Sequence, residues 1–319
     1  VQDVLFRLLN TPSPSGYTDR VVHLVADDDR RFGGAVARSG VQSGTDRGGA
    51  ECRTHQVRRV GVERDSQQRD HSRRLRCGMT AATMSGVVLT GHGGPECLEW
   101  RADLPIPEPG PGDVLIRVSA AGINNTDINT RVGWYSKGDA DADDAGWTGT
   151  ALSFPLIQGI DVCGQIVAVG DGVDPVRIGE RVLVEPCLWE ANGQTLGRPW
   201  FVGSECDGGF AEFTRVAARH AHAIESELSD VELASFPCSY STAENMLTRT
   251  AVQANETVLV TGASGGVGSA AVQLAKARGA RVAAITSAAK RDQLTELGAD
   301  VIVERDADVV TELGADSID

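Results

Sequence analysis

The chain has 319 residues, with 30 basic and 44 acidic side chains and a formal net charge of −14. That balance argues against nucleic-acid or anionic-membrane partners bound through surface charge. No apolar run reaches the roughly 18 residues of a membrane span, and seven widely spaced cysteines without a Cys-x-x-Cys pair describe a reduced, cytoplasmic protein rather than a disulfide framework.

The charge is unevenly spread. Residues 1–78 hold 14 Arg, no Lys and 10 acids (14 − 10 = +4), whereas residues 79–319 hold 16 basic and 34 acidic residues (16 − 34 = −18). The first stretch is rich in Arg, Gly, Ser and Gln and carries no sustained hydrophobic period. Residues 1–83 therefore read as a disordered or non-native extension, with a natural start at Met79 or Met84. A basic interaction arm is the alternative.

From Met84 the pattern changes. Ser85–Thr90 and Leu98–Ala102 read as strands around a Gly-His-Gly-Gly-Pro turn. Leu104–Gly112 is too proline-dense for regular structure. Val114–Ala121, Ile157–Val169, Arg181–Glu185 and Gly208–Val216 follow as further strands. Many short strands with glycine turns predict a compact β-barrel over residues 84–236. Ser229–Ser235 and Thr242–Thr248 read as helices leading into a second domain, 237–319.

That domain opens with Thr257–Thr261, a β-branched apolar run and a buried strand by its pattern. Gly262-Ala-Ser-Gly-Gly-Val-Gly268 turns the chain, and a helix then runs to Arg278 and stops at Gly279. A second strand covers Arg281–Thr286. A glycine turn between a strand and a helix suits a dinucleotide: the backbone can approach a pyrophosphate, and the helix N-terminus faces it. Gly262, Ser264, Gly265, Gly266, Val267 and Gly268 are the expected cofactor contacts. NAD sites place an acid at the end of the second strand. Here Ser287, Lys290 and Arg291 follow instead. These cations read either as solvated charge or as ligands for a 2′-phosphate; their poor fit to a helix N-terminus favours the phosphate, hence NADP(H) over NAD(H).

Four stretches in order, Glu108-Pro-Gly-Pro-Gly-Asp-Val-Leu-Ile-Arg-Val118, Ala121-Gly-Ile-Asn-Asn-Thr-Asp127, Gly208-Gly-Phe-Ala-Glu-Phe213 and Gly262–Gly268, resemble the medium-chain dehydrogenase/reductase family, close to its zinc-independent quinone oxidoreductase branch. The resemblance implies a GroES-like barrel for the substrate, a Rossmann domain for NADP(H) and an active site between them. It implies hydride transfer to a quinone or an α,β-unsaturated carbonyl. Asn124, Tyr135 and Arg131 become the candidate catalytic residues, Asp127 the residue that fixes the Asn124 loop, and Thr242 a contact on the nicotinamide side. The partner is a small-molecule substrate, and the resemblance leaves room for a homo-oligomer of the full-length protein.

The family's zinc enzymes use Cys, His and Cys. Asn124 stands at the first place, Gly159-Ile160-Asp161 replaces Gly-His-Glu, and Cys238 keeps the third. One soft ligand is too few for zinc, so no metal is expected. The alternatives are an alcohol dehydrogenase with a degraded zinc site and a non-catalytic nucleotide-binding fragment. A helix over Ala288–Leu297 and a strand over Asp300–Glu304 complete only half of a doubly wound sheet, so the chain reads as a C-terminally truncated copy with an open apolar edge at Val258–Val260.

Overall fold

A computed structural model describes residues 83–136, 146, 148, 151–315 and 317–319, together with the backbone of Arg20–Val22. Apart from Arg20–Val22 and Thr83, the extension expected over residues 1–83 lies outside the described residues, as does most of the loop after Ser136. The larger part runs β1 (Arg20–Val22), β2 (Thr83–Leu89), β3 (Leu98–Pro105), β4 (Asp113–Ile123), α1 (Asn125–Arg131), β5 (Leu156–Ile157), β6 (Asp161–Val169), β7 (Arg181–Val184), β8 (Cys187–Ala191), β9 (Gln194–Phe201), β10 (Phe213–Ala217) and β11 (Ala221–Ala223). Then come α2 (Asp230–Leu233), α3 (Pro237–Arg249), β12 (Thr257–Val260), α4 (Gly266–Ala277), β13 (Arg281–Thr286), α5 (Arg291–Glu296), β14 (Val301–Glu304) and α6 (Val309–Leu313).

Strand β4 is the spine of the first part. Only Arg117 along it is exposed, the near-continuous apolar reading of a strand covered on both faces. It pairs antiparallel with β1, β6 and β10 in a six-stranded sheet. Ile116, Val118, Val162, Ile166, Val182 and Val184 fill one core, each such side chain contributing roughly 1.5–3 kcal/mol by leaving water. A second sheet has the order β3-β2-β5, and β8 and β9 form a hairpin.

Among the described residues none of these sheets closes into a barrel, which corrects that part of the sequence expectation. The ladder between β2 and the strand β10 side shrinks to one bridge, Gly86 to Ala211. There the Glu212 carboxylate accepts the Ser85 amide at 2.6 Å, in place of a continuing backbone ladder. The expected strand Ile157–Val169 is likewise two strands. Gly159 adopts φ +106, a left-handed turn that glycine makes at little cost. The carbonyls of Ile157, Gln158 and Gly159 then accept the amides of Gly208, Phe210 and Gly209, so β10 begins only at Phe213.

The second part is a parallel sheet of order β12-β13-β14. Helix α4 lies on it through Ala270, Ala271, Val272 and Ala275, all buried. Small side chains let the helix approach the strands closely. Helix α3 joins the same core through Ala243 and Leu247, and its Tyr240 hydroxyl accepts from Gln273 Nε2 at 2.9 Å. The predicted Thr242–Thr248 helix starts earlier, at Pro237, whose fixed φ suits a first helical position. The predicted Ala288–Leu297 helix is a 3-10 turn, Ala288–Lys290, followed by α5. Strand β12 is an edge strand of this sheet, and Asp319 meets its first residue: Thr257 N–H donates to the Asp319 carboxylate at 2.7 Å.

Candidate active site

Strand β4 ends at Ile123 and the chain turns into α1 with Asn124 at the N-cap. Asp127, three residues on, reaches back: its Oδ2 accepts the Asn124 amide at 2.8 Å and its Oδ1 the Gly159 amide at 3.2 Å. Its backbone carbonyl accepts from Gln158 Nε2 at 2.9 Å. Asp127 therefore fixes the loop that carries Asn124, as the sequence leads one to expect.

Asp161 completes the knot. It is the first residue of β6 and 2% exposed. Its Oδ2 accepts Asn124 Nδ2 at 2.6 Å and its Oδ1 accepts the Cys238 amide, in the first turn of α3, at 2.6 Å. One carboxyl group thus joins the end of β4, the start of β6 and the helix that leads into the parallel sheet. An acidic group at the N-terminus of α3 also complements the helix dipole. Sequence reasoning saw Asp161 only as part of an altered metal motif and gave it no role; its place directly after Gly159-Ile160 was the available signal.

Burial pushes Asp127 up to about 7, opposed by the amides of Asn124, Gly159 and Ile160. Burial also pushes Asp161 up to about 7, opposed by Asn124 and the Cys238 amide, while the nearby Asp127 charge adds to the rise. Burial raises the Cys238 thiol, and the charges of Asp161 and Asp127 raise it further. Such a thiol stays protonated and is a poor nucleophile. Among the described residues no group of three His, Cys, Asp or Glu side chains is arranged to hold a metal ion.

The other catalytic candidates lie on α1 and just beyond it. The Tyr135 hydroxyl is 3.1 Å from Thr126 Oγ1 on that helix, and its half-buried ring meets Trp134 edge-on. Arg131 donates from Nη1 to the Gly93 carbonyl at 2.8 Å, and the Gly93 amide donates to the Arg131 carbonyl at 2.8 Å. The structure thus uses Arg131 to fasten the Gly91–Gly94 loop to α1. Thr242 is exposed on α3 and donates from Oγ1 to the Cys238 carbonyl at 2.7 Å.

The glycine turn forms as its spacing predicts. Gly262 adopts φ +58, Gly265 is the N-cap of α4, and Gly266 and Gly268 are buried in its first turn. A side chain on Gly268 would run into the Gly262 carbonyl oxygen and stand 2.7 Å from Ala263 Cα. Both neighbours are backbone, so position 268 must lack a Cβ for helix and turn to meet. Ser264 and Val267 stand half-buried at the same turn. No side chain caps the N-terminus of α4, an arrangement that suits an anion there.

At the far end of β13, Ser287 begins the 3-10 turn, and its carbonyl accepts the Lys290 amide at 3.0 Å. Arg291 opens α5 and meets Glu304, the last residue of β14: Nη2 to Oε1 is 3.3 Å. The sequence sets Ser287, Lys290 and Arg291 in one short stretch and gives no sign of Glu304, because parallel pairing alone sets Glu304 opposite Thr286.

Comparison with known proteins agrees with this fold. Residues 110–226 match the alcohol dehydrogenase GroES-like domain family and residues 266–316 the zinc-binding dehydrogenase family. A solved structure assigned as an alcohol dehydrogenase from Sinorhizobium meliloti 1021 is 44% identical, covers 78% of this chain and 70% of its own, and superposes with a TM-score of 0.69. The chain belongs to the medium-chain dehydrogenase/reductase family. Human quinone oxidoreductase is 34% identical over 200 residues, which cover 62% of this chain and 51% of that protein. The acryloyl-coenzyme A reductase of Metallosphaera sedula is 31% identical over 228 residues, 69% of this chain and 64% of that one. The chain spans about half the length of the quinone oxidoreductase. The two matched regions run from β4 to β11 and from α4 to α6. No helix among the described residues is long and apolar enough to cross a membrane.

Proposed function

We propose that the protein is a metal-independent oxidoreductase that uses NADPH in preference to NADH and reduces a quinone or an α,β-unsaturated carbonyl. The observation that carries this reading is the Asn124–Asp161 bond. By family resemblance Asn124 holds the place of the first zinc ligand, Ile160 that of the second and Cys238 that of the third. An amide, an alkyl group and one half-buried thiol do not fit zinc. The remaining acid, Asp161, has both oxygens engaged by protein donors. Names of the relatives, quinone oxidoreductase and acryloyl-coenzyme A reductase, point to the same substrate class.

The chemistry follows from the residues in place. NADPH, when bound, supplies the hydride. The glycine turn would hold its pyrophosphate, Ser287, Lys290 and Arg291 its 2′-phosphate, and Thr242 its nicotinamide side. A side-chain amide has two N–H donors. One on Asn124 is committed to Asp161, which fixes the orientation of the group. The other is offered to the substrate carbonyl oxygen, where negative charge develops; a donor so placed contributes about 3 kcal/mol. Asp161 holds that side-chain amide and Asp127 holds the Asn124 backbone N–H, and the Tyr135 hydroxyl, or water, delivers the proton that completes the reduction.

Steady-state reduction of 1,4-benzoquinone and of an enone by NADPH tests the proposal on this chain and on Asn124→Ala. We expect kcat to fall about a hundredfold in the variant with NADPH binding unchanged. Equal kcat would remove Asn124 from the mechanism. NADPH binding without turnover of either substrate would favour a nucleotide-binding role alone. The similarity to an alcohol dehydrogenase at 44% identity favours a second reading, alcohol oxidation at a remodelled zinc site. Stoichiometric zinc in the purified protein would support that reading against ours.

A further inference from the structure

The end of β13 carries no acid in sequence, yet the fold brings one there. In the parallel register Thr286 lies opposite Glu304, and each is the last residue of its strand. Neighbouring strands are about 4.8 Å apart, so the Glu304 side chain leaves the sheet at the same edge as Ser287. Arg291 marks its reach, since its guanidinium meets the Glu304 carboxylate at 3.3 Å. Both side chains are about half exposed, 46% and 57%, and so open to a ligand.

At this edge of a dinucleotide fold a carboxylate accepts a hydrogen bond from a ribose 2′-hydroxyl, and a cation meets a 2′-phosphate. The usual acid ends the second strand. Here the second strand supplies the hydroxyl and cations that follow it, and the third supplies the acid. The two functions are wired against each other. Arg291 cannot face a 2′-phosphate fully while it remains on Glu304, and the Glu304 charge repels that phosphate directly. A 2′-hydroxyl meets neither obstacle.

We infer that Glu304 is a cofactor-selectivity residue, accepting the 2′-hydroxyl of NADH and opposing the 2′-phosphate of NADPH, so that the protein binds both nucleotides with a narrow preference. This rests on the proposed nucleotide site and changes what that site selects. The preference for NADPH is then a balance: Ser287, Lys290 and Arg291 pull toward the phosphate and Glu304 pulls away. An exposed ion pair carries up to about 1 kcal/mol, which limits each effect to roughly fivefold in affinity.

The test is a fluorescence titration of the full chain with NADPH and with NADH, for the wild type, Glu304→Gln and Arg291→Gln. All three are checked by thermal melting, since both positions are on the surface. In the wild type the NADPH preference should stay below about tenfold. Glu304→Gln should widen it by about fivefold, through tighter NADPH and weaker NADH binding. Arg291→Gln should weaken NADPH by a similar factor and leave NADH within about twofold. A ratio unmoved by Glu304→Gln overturns the inference while Arg291 keeps its proposed role. NADPH affinity unmoved by Arg291→Gln overturns the proposed phosphate site. Absence of binding by either nucleotide to any of the three overturns both.

Discussion

The polar knot around Asn124 and the glycine turn at Gly262–Gly268 are built in opposite ways. In the knot, function is written in side chains: one amide and two buried carboxyl groups, each oxygen of Asp161 aimed at a donor 37 or 77 residues away in sequence. In the turn it is written in their absence, within seven consecutive residues and with backbone packed on backbone. The knot stabilises only if every partner is in place, because a buried polar group left alone costs about 1–3 kcal/mol. The turn fails only if something is added. A site can therefore be lost by deletion in one region and by addition in the other.

The largest effect should come from adding bulk to the turn. Gly268→Val forces its side chain against the Gly262 carbonyl and Ala263, where nothing flexible can yield. Overpacking of this kind costs about 3 kcal/mol or more, and we expect the urea midpoint to fall and NADPH binding to disappear together. Unchanged binding would mean that the cradle tolerates a side chain and the contrast is wrong. Deleting from the knot should come next. Asp161→Ala leaves the Asn124 amide and the Cys238 N–H without their acceptor, a loss of about 2–3 kcal/mol. Asp161→Asn keeps one acceptor and should lose about half as much, which denaturant unfolding would resolve.

The knot also carries a pH signature that the turn lacks. Burial holds Asp127 and Asp161 at about 7 against an ordinary 3.8. Each binds its proton more readily folded than unfolded, so its contribution to stability is most favourable below about pH 4, falls as pH rises through the window from about 4 to about 7, and is constant above. Between pH 5 and pH 8 Asp127→Asn should flatten the decline in melting temperature, worth on the order of 2 kcal/mol in the wild type. A slope unaffected by the substitution would show that Asp127 is already ionised in the native state at pH 5. The smallest effect belongs to the rim of the turn. Ser264→Ala, at a half-buried position, should alter stability by less than about 0.5 kcal/mol, so a fall in NADPH affinity alone would locate the nucleotide there.

Much of this protein is legible in one dimension. Thr257–Thr261, Gly262–Gly268 and Arg281–Thr286 read as strand, turn and strand because helix and strand periods and a glycine's freedom are local properties. Asp127 was expected from the family resemblance to fix the Asn124 loop, and the structure supplies the reason, an acid three residues after a helix N-cap reaching back to it. The barrel was misread in detail for a related reason: alternation identifies strands but not which edges pair, so the Gly86–Ala211 bridge and the break at Gly159 were invisible. Arg131 was legible as a cation between Asn124 and Tyr135, but neither its helix nor the use of its guanidinium on the Gly93 carbonyl was.

What the sequence alone determined is thus the family, the two-part plan and the glycine turn, since each rests on contiguous residues whose chemistry needs no distant partner. What only the tertiary structure decided is the use of the acids. Asp161 became the partner of Asn124 and Cys238 through the antiparallel register of β4 on β6 and the docking of α3. Glu304 reached the Arg291 side of the sheet through the parallel register of β13 on β14. A carboxyl group acts over a few ångströms, and only the fold sets what lies within that range.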